Sequence, residues 1–214
     1  VDVEISDVRV KARGATARLE GGERHAELVM SVPGEHNVLN AAGAWVAGIE
    51  CGLEPQAVAD GLGRFTGAAR RFEARGQVGS RRLFDDYAHH PTEVEAAIRE
   101  ARVVADGAQV TVVFQPHLYS RTRIFAERFA RALAGADHVV LAGIYGARED
   151  PEPGVDSTLI SSRVPGASYV EDMHEAARLA ASVTPEGGVC VTMGAGSITR
   201  CGDDVLEEWK RMEA

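Results

Sequence analysis

From Arg71 onward, short apolar runs alternate with segments whose apolar residues recur at helical spacing. The runs Val110–Phe114 and Val189–Met193 are rich in β-branched residues, which is typical of buried strands. Between such runs, apolar residues recur every three or four positions, as at Val94 and Ile98, which is typical of helices that cover a sheet. This alternation predicts an α/β domain whose mostly parallel sheet is covered by helices on both faces.

The predicted elements of this region follow one another without an internal repeat. In order they are a hairpin at 72–78 and 82–84, a helix at 94–105, a strand at 110–114, a helix at 124–133, a strand at 138–142, a short helix at 156–162, a strand around Tyr169, a helix at 172–182, a strand at 189–193 and a closing helix at 197–209.

The first part of the chain has a different pattern. Runs at 1–10, 15–19 and 26–30 predict short antiparallel strands, and helical spacing follows at 38–49 and 55–61. Because the character of the sequence changes at Gly67, we predict two domains, residues 1–67 and residues 68–214.

Composition narrows the classes of function. A formal net charge of -9 argues against a nonspecific partner such as nucleic acid or a membrane surface. The three cysteines, Cys51, Cys190 and Cys201, lack zinc-type spacing and cannot all pair, which fits a reducing compartment. No run is long and apolar enough to span a bilayer. We therefore expect a cytoplasmic globular protein with no nucleic-acid or membrane partner.

One polar motif, DDYAHHPTE at 85–93, lies between a predicted strand and a predicted helix. Ligands of open α/β sheets bind at such turns. We expect Asp86 to accept hydrogen bonds from a ribose and His89 to contact phosphate or substrate. Adjacent histidines point in different directions, so the motif is a poor metal site. The alternative is an aspartate that caps the helix, with solvated imidazoles.

A second motif, QPHLYSRTR at 115–123, follows the strand at 110–114. Its donor groups, on His117, Tyr119 and Arg121, suit a small carboxylate, because an arginine can bind one through two parallel hydrogen bonds. The alternative is a solvated helix start.

Three further features carry polar or flexible groups. His36, Asn37 and Asn40 lie at a helix start, where the amides suit a base edge, unless Asn37 is simply the helix cap. Arg71 lies at the proposed domain junction, from which it can reach a phosphate, although a surface ion pair is as plausible. The segment 194–197 follows a strand and is either an anion cradle or a tight turn.

Six segments, GEHNVLNAAGA, FTGAARRFE, DDYAHHPTEVEAAI, VFQPHLYSRT, IYGARED and GAGSI, together resemble the Mur ligases of peptidoglycan synthesis, above all the branch that adds L-alanine to UDP-N-acetylmuramate. Members of this family have a UDP-binding domain, a central ATPase domain and a C-terminal Rossmann-like domain. The resemblance implies that 1–67 is the end of the central domain and that 68–214 is the C-terminal domain. It also implies the reaction: ATP phosphorylates the muramoyl carboxylate, and the alanine amine attacks the acyl phosphate with magnesium assistance.

The resemblance assigns roles to individual residues. It implies adenine-side contacts for His36, Asn37 and Asn40, a γ-phosphate contact for Arg71 and a ribose contact for Asp86. It also implies that His117, Tyr119 and Arg121 hold the incoming amino acid. Our candidate catalytic residues are Arg71 and His89. Many relatives have arginine where this chain has Leu118, so Arg121 is expected to be the carboxylate anchor.

The sequence contains no phosphate loop of the GxxGKT type. We therefore expect ATP and magnesium to be held mainly by missing N-terminal and central domains, and this fragment to be inactive alone. Its partners would be those domains, L-alanine, ATP and UDP-N-acetylmuramate. The alternatives are a ligase of the same family that recycles a preformed murein peptide, which Tyr87 and the IYGARED segment disfavour, and a non-catalytic nucleotide- or amino-acid-binding module.

Overall fold

The computed structural model of the chain describes residues 3–11 and 14–214. It contains two compact units, Val1–Gly67 and Ala68–Ala214. Each unit has its own buried apolar cluster, and the second has one on either face of its sheet. The first two residues of the predicted strand at 1–10, Val1 and Asp2, lie outside the described residues.

The first unit combines a three-stranded antiparallel sheet with two helices. The strands are β1 (Glu4–Lys11), β2 (Gly14–Gly21) and β3 (Arg24–Met30), and the helices are α1 (Glu35–Glu50) and α2 (Pro55–Gly63). Alternate residues of β2 and β3 are buried, because one face of the sheet packs against the helices. Trp45 of α1 is fully buried there, and its indole N–H donates to the Pro55 carbonyl over 2.9 Å. This bond joins the two helices.

The second unit is built on a six-stranded sheet. Its elements are β4 (Glu73–Val78), β5 (Arg81–Asp86), α3 (Pro91–Ala105), β6 (Val110–Phe114), α4 (Tyr119–Leu133), β7 (His138–Leu141), α5 (Thr158–Ser161), β8 (Ser168–Tyr169), α6 (Met173–Val183), β9 (Val189–Met193), a 3-10 helix (Ser197–Cys201) and α7 (Gly202–Glu213). The strand order is β4-β5-β9-β6-β7-β8, with β4 antiparallel and the others parallel. The predicted α/β class with a mostly parallel sheet is confirmed.

Helices cover both faces of this sheet. Every residue of β6 and β9 is buried, because these central strands have helices on either side. Val112 and Phe114 of β6 pack in the cluster that contains α3 and α4, whereas Val113 packs in the cluster that contains α6 and α7. The alternation of side chains along the strand therefore connects the two halves of the core.

The closing helix predicted at 197–209 differs from the observed one. Its first turn is the 3-10 helix Ser197–Cys201, and α7 then runs from Gly202 to Glu213. Over a single turn, apolar spacing does not distinguish 3-10 from α geometry.

Trp209 attaches α7 to the rest of the second unit. Its side chain is fully buried, and its indole N–H donates to the Ala181 carbonyl of α6 over 3.0 Å.

We predict that Trp209→Ala lowers the free energy of unfolding by about 3 to 5 kcal/mol, through lost apolar contact and an unpaired carbonyl. Urea titration followed by circular dichroism measures this. The control Met212→Ala, on the exposed side of α7, should leave the midpoint nearly unchanged, and equal midpoints in both variants would contradict the prediction.

Glu100 places a carboxyl group in the interior of the second unit. It is 6% exposed on α3. Burial, with a smaller contribution from the negative charge of Asp86, raises its pKa from 4.5 to about 8. The folded state therefore keeps a proton that the unfolded state has already lost, and stability falls as the pH rises between these two values.

We predict that the free energy of unfolding of wild type relative to Glu100→Gln falls from pH 4.5 to about pH 8, by up to about 1.4 kcal/mol per pH unit, and then levels off. Urea titrations across this pH range measure the difference. Glu95→Gln, an exposed change on the same helix, is the control and should follow the wild-type profile. Parallel profiles for wild type and Glu100→Gln would refute the prediction.

Candidate functional site

Three polar loops of the second unit follow the carboxyl ends of adjacent parallel strands. Segment 85–93 begins at the end of β5, segment 115–121 follows β6, and segment 194–197 follows β9. These three strands are neighbours in the order β5-β9-β6, so the loops emerge on one edge of the sheet. This edge is where open α/β sheets bind ligands.

Asp85 is the buried anchor of this edge. Its carboxylate accepts hydrogen bonds from the Thr192 hydroxyl at 2.6 Å, the Thr199 hydroxyl at 2.8 Å and Arg70 Nε at 3.2 Å. The Arg70 guanidinium also donates to the Gly194 carbonyl at 2.5 Å. A fully buried charge requires this degree of pairing. The network joins β5, β9 and the 3-10 helix.

Asp86 stabilises the loop that follows it. Its two carboxylate oxygens accept the backbone N–H groups of Phe72 at 2.8 Å and Ala88 at 2.7 Å. Burial is the main cause that raises the pKa of this carboxyl group. Because a carboxylate oxygen has a second lone pair, these bonds are compatible with the ribose contact of Asp86, which stays a prediction.

Arg71 differs from Arg70 in being exposed. Its guanidinium carbon lies 5.8 Å from the centre of the Tyr87 ring, and the corresponding Arg70 distance is 4.7 Å. Within the described part of the chain, the Arg71 side chain forms no hydrogen bond or ion pair, so the alternative of a surface ion pair is not seen there. Its donors are available to an anion.

The two adjacent histidines have different positions. His90 caps α3: its ring accepts the Thr92 N–H at 3.4 Å, and Glu93 accepts the His90 N–H at 3.1 Å. The alternative that an aspartate of the motif 85–93 caps this helix is therefore wrong, because the N-cap of α3 is His90. The His89 ring instead turns toward the loops, with its centre 5.2 Å from Tyr87 and 6.0 Å from His117.

His117 is a partly buried histidine with one unpaired ring nitrogen. The ring stacks on Tyr145 at 5.6 Å, and among the described residues its Nδ1 is buried without a hydrogen-bond partner. Burial, followed by the positive charge of Arg121, lowers the pKa of His117, which favours the neutral imidazole. An unpaired nitrogen that is buried from water is destabilising.

Arg121 lies in the first turn of α4, close to His89. Its Nη1 is 3.5 Å from the His89 carbonyl, a long hydrogen bond that leaves other donors available.

The start of α4 is fixed by Glu149, which accepts the Ser120 N–H at 2.9 Å and the Ser120 hydroxyl at 2.5 Å. Tyr119 packs against Gly146, where a Cβ atom would lie 2.9 Å from its ring. The structure therefore brings His89, His117 and Arg121 together, with Tyr119 on the same turn of α4.

The segment 194–197 after β9 is a bend, and hydrogen bonds already use the N–H groups of Gly194 and of Ile198, the residue that follows the segment. The Gly194 N–H donates to the Asp86 carbonyl at 3.0 Å, and the Ile198 N–H donates to the side chain of Gln115 at 3.0 Å. A Cβ atom on Gly194 would lie 2.6 Å from the Gln115 carbonyl, so the close approach requires glycine.

His36, Asn37 and Asn40 belong to the first unit and lie in the first turns of α1. The helix cap is Gly34, so the alternative that Asn37 is the cap is wrong. Asn37 instead donates from its side chain to the Pro33 carbonyl at 2.6 Å. His36 and Asn40 are exposed on this part of α1.

A cavity of about 700 Å³ lies between α3 and α4 and contains none of the predicted site residues. Arginines on its wall pair with nearby acids, as in Arg99 with Glu95 at 2.8 Å and Arg131 with Glu127 at 2.9 Å. Arg128, also on this wall, lies over the Phe125 ring with its guanidinium carbon 5.3 Å from the ring centre. In the described part of the chain, no helix combines the length and apolarity needed to cross a membrane.

Residues 70–196 match the family described as "Mur ligase, glutamate ligase domain". The UDP-N-acetylmuramate--L-alanine ligase of Kineococcus radiotolerans is 49% identical over 209 residues, which cover 96% of this chain and 44% of that protein. The chain thus spans less than half the length of the curated relatives that it matches.

Two solved structures are similar to the whole chain. The UDP-N-acetylmuramate-alanine ligase of Thermotoga maritima has a TM-score of 0.80 and 27% identity, covering 98% of this chain and 46% of its own. The murein peptide ligase of Psychrobacter arcticus has a TM-score of 0.66 and 20% identity, covering 97% and 44%. Since the family match includes more than half of the residues and most of the second unit, the chain belongs to the Mur ligase family.

Proposed function

We propose that this chain is the amino-acid-binding part of an ATP-dependent ligase that joins L-alanine to UDP-N-acetylmuramate in peptidoglycan synthesis. The observation that carries the proposal is the cluster of His89, His117 and Arg121 at the carboxyl edge of the sheet. The cluster combines a guanidinium with open donors and a neutral imidazole with an unpaired nitrogen. These groups are complementary to the carboxylate and the ammonium group of an amino acid.

In the proposed reaction, the muramoyl carboxylate is first phosphorylated by ATP, and the alanine amine then attacks the acyl phosphate and expels inorganic phosphate. Arg121 binds the alanine carboxylate and so orients the amine. The neutral His117 ring accepts a hydrogen bond from the amino group, which must lose a proton before it attacks. His89, between Tyr87 and His117, contacts the phosphate or the attacking amine.

Nucleotide contacts complete the proposal. We assign the γ-phosphate to Arg71, because its exposed guanidinium forms no hydrogen bond or ion pair among the described residues. A positive charge there would stabilise charge that develops on the transferred phosphoryl group. The ribose is assigned to Asp86, and the adenine to His36, Asn37 and Asn40.

The first unit would be the end of the central ATPase domain, and the second unit the C-terminal domain. We assign the β-phosphate and the magnesium ions, which neutralise phosphate charge, mainly to a phosphate-binding loop that this sequence does not contain. The chain would therefore be inactive without that loop.

A recycling ligase that attaches a preformed peptide is the second candidate within the family. The higher TM-score and identity of the alanine ligase, 0.80 and 27% against 0.66 and 20%, favour the alanine-adding activity.

The proposal is tested by titrating this chain calorimetrically with ATP and L-alanine, alone and after addition of the remaining ligase domains in trans. We expect weak binding and no phosphate release alone, because the phosphate loop is absent, and alanine-dependent phosphate release after addition. Tight binding without turnover would instead indicate a non-catalytic binding module. Phosphate release that depends on a preformed peptide, but not on alanine, would indicate the recycling ligase.

Arg121 provides a test of the amino-acid site in the complete ligase. We predict that Arg121→Ala raises the KM for L-alanine about 10- to 100-fold, since it removes a charge-assisted bidentate contact. A phosphate-release assay at saturating ATP and UDP-N-acetylmuramate measures it. The matched control is Arg123→Ala, an exposed arginine on the same helix that pairs with Glu152 at 3.0 Å. A similar KM in both variants would exclude Arg121 as the carboxylate anchor.

A further inference from the structure

His174, Cys201 and Asp204 form a cluster outside the proposed substrate and nucleotide contacts. His174 lies in the first turn of α6, Cys201 ends the 3-10 helix, and Asp204 lies in the first turn of α7. One potential ligand atom from each residue lies within 4.8 Å of the other two. Two helix starts therefore bring together an imidazole, a thiol and a carboxylate.

Two of the three distances among these atoms can be compared with those of a zinc site, and the third, from Cys201 Sγ to the Asp204 carboxylate, is at most 4.8 Å. His174 Nδ1 is 3.7 Å from Cys201 Sγ and 2.7 Å from Asp204 Oδ2. Tetrahedral zinc with ordinary bond lengths separates such ligand atoms by about 3.3 to 3.6 Å. The sulfur–nitrogen distance already fits, and the nitrogen–oxygen distance requires a widening of about 0.6 Å. The half-exposed His174 side chain can make that adjustment by a small rotation.

A simple histidine–aspartate ion pair does not account for the whole arrangement. The same ring nitrogen faces both the carboxylate and the thiol, yet it has only one hydrogen or one lone pair. Asp204 divides its oxygens, because Oδ1 accepts from Arg178 at 2.9 Å and Oδ2 faces His174. Carboxylate ligands of metals are commonly held in this way by an outer hydrogen-bond donor.

Acidic and basic groups both lie beside the cluster. Asp172 caps α6 by accepting the His174 N–H at 2.9 Å, and Arg178 donates to Asp204 Oδ1 at 2.9 Å. A set of sulfur, nitrogen and oxygen ligands suits zinc, whereas magnesium binds through oxygen and does not use thiolates. This site is thus chemically distinct from one that assists phosphoryl transfer.

We propose that His174, Cys201 and Asp204 bind one zinc ion, with the fourth position open to water. The ion would tie the start of α6 to the 3-10 helix and α7, just after the glycine turn that follows β9. Its binding would therefore stabilise the second unit.

The test is calorimetric titration of the full chain with zinc chloride in a non-chelating buffer with a phosphine reductant. We expect one ion per chain and a higher thermal midpoint. Cys201→Ser, His174→Asn and Asp204→Asn should each weaken binding by at least about tenfold, because each removes a ligand. Cobalt(II) provides a second readout, since thiolate-to-cobalt absorption should appear in wild type and be lost in Cys201→Ser.

The matched controls are Cys51→Ser, which removes the exposed cysteine, and His138→Asn, which removes a histidine bonded to Gln109. Both should bind zinc like wild type. His174→Asn and Asp204→Asn change partly exposed residues and keep the test decisive if Cys201→Ser fails to fold. The proposal is overturned if wild type binds no zinc, if His174→Asn and Asp204→Asn bind it unchanged, or if Cys51→Ser loses it.

Discussion

The buried pairing of Asp85 with Arg70 is the interaction on which the candidate site depends. Asp85 has no exposure to water, so its charge is tolerated only because a guanidinium and two threonine hydroxyls surround it. The same guanidinium holds the Gly194 carbonyl and lies over the Tyr87 ring. One ion pair thus positions the start of the loop 85–93 relative to the turn after β9. Removing either partner would leave an uncompensated charge and displace both loops.

The pairing of Asp85 and Asp86 within the protein determines which charges the carboxyl edge of the sheet presents to a ligand. Asp85 is satisfied by side chains and Asp86 by backbone amides, so neither carboxylate presents a free charge to solvent. Among the described residues, the Arg71 side chain forms no hydrogen bond, and that of Arg121 forms only the long one to the His89 carbonyl. A chain with a net charge of -9 therefore has a sheet edge suited to anions. Overall charge describes the solvated surface, whereas local pairing decides what the site attracts.

Sequence patterns identified the parallel sheet because its central strands are buried on both faces. The strands 110–114 and 189–193 have the predicted bounds, since apolar β-branched runs of that length have few alternatives. The role of Arg70 was missed because its partners, Asp85 and Gly194, come from distant positions. The zinc ligand set was missed for the same reason: separations of 27 and 30 residues form no local motif. Contacts between residues that are far apart in the sequence cannot be predicted from the spacing of residues within one short motif.

The backbone at Leu118 shows how the proposed carboxylate anchor is placed. Leu118 has a φ of 72°, a conformation that is unfavourable for a branched side chain by about 1 to 3 kcal/mol. It is held by the bond from its N–H to the Tyr145 carbonyl at 2.9 Å and by the Thr122 N–H, which donates to its carbonyl at 3.0 Å. These are main-chain constraints, so the start of α4, and with it Arg121, is positioned whatever side chain occupies position 118. In the proposed site, Arg121 would therefore be the arginine that binds the amino-acid carboxylate.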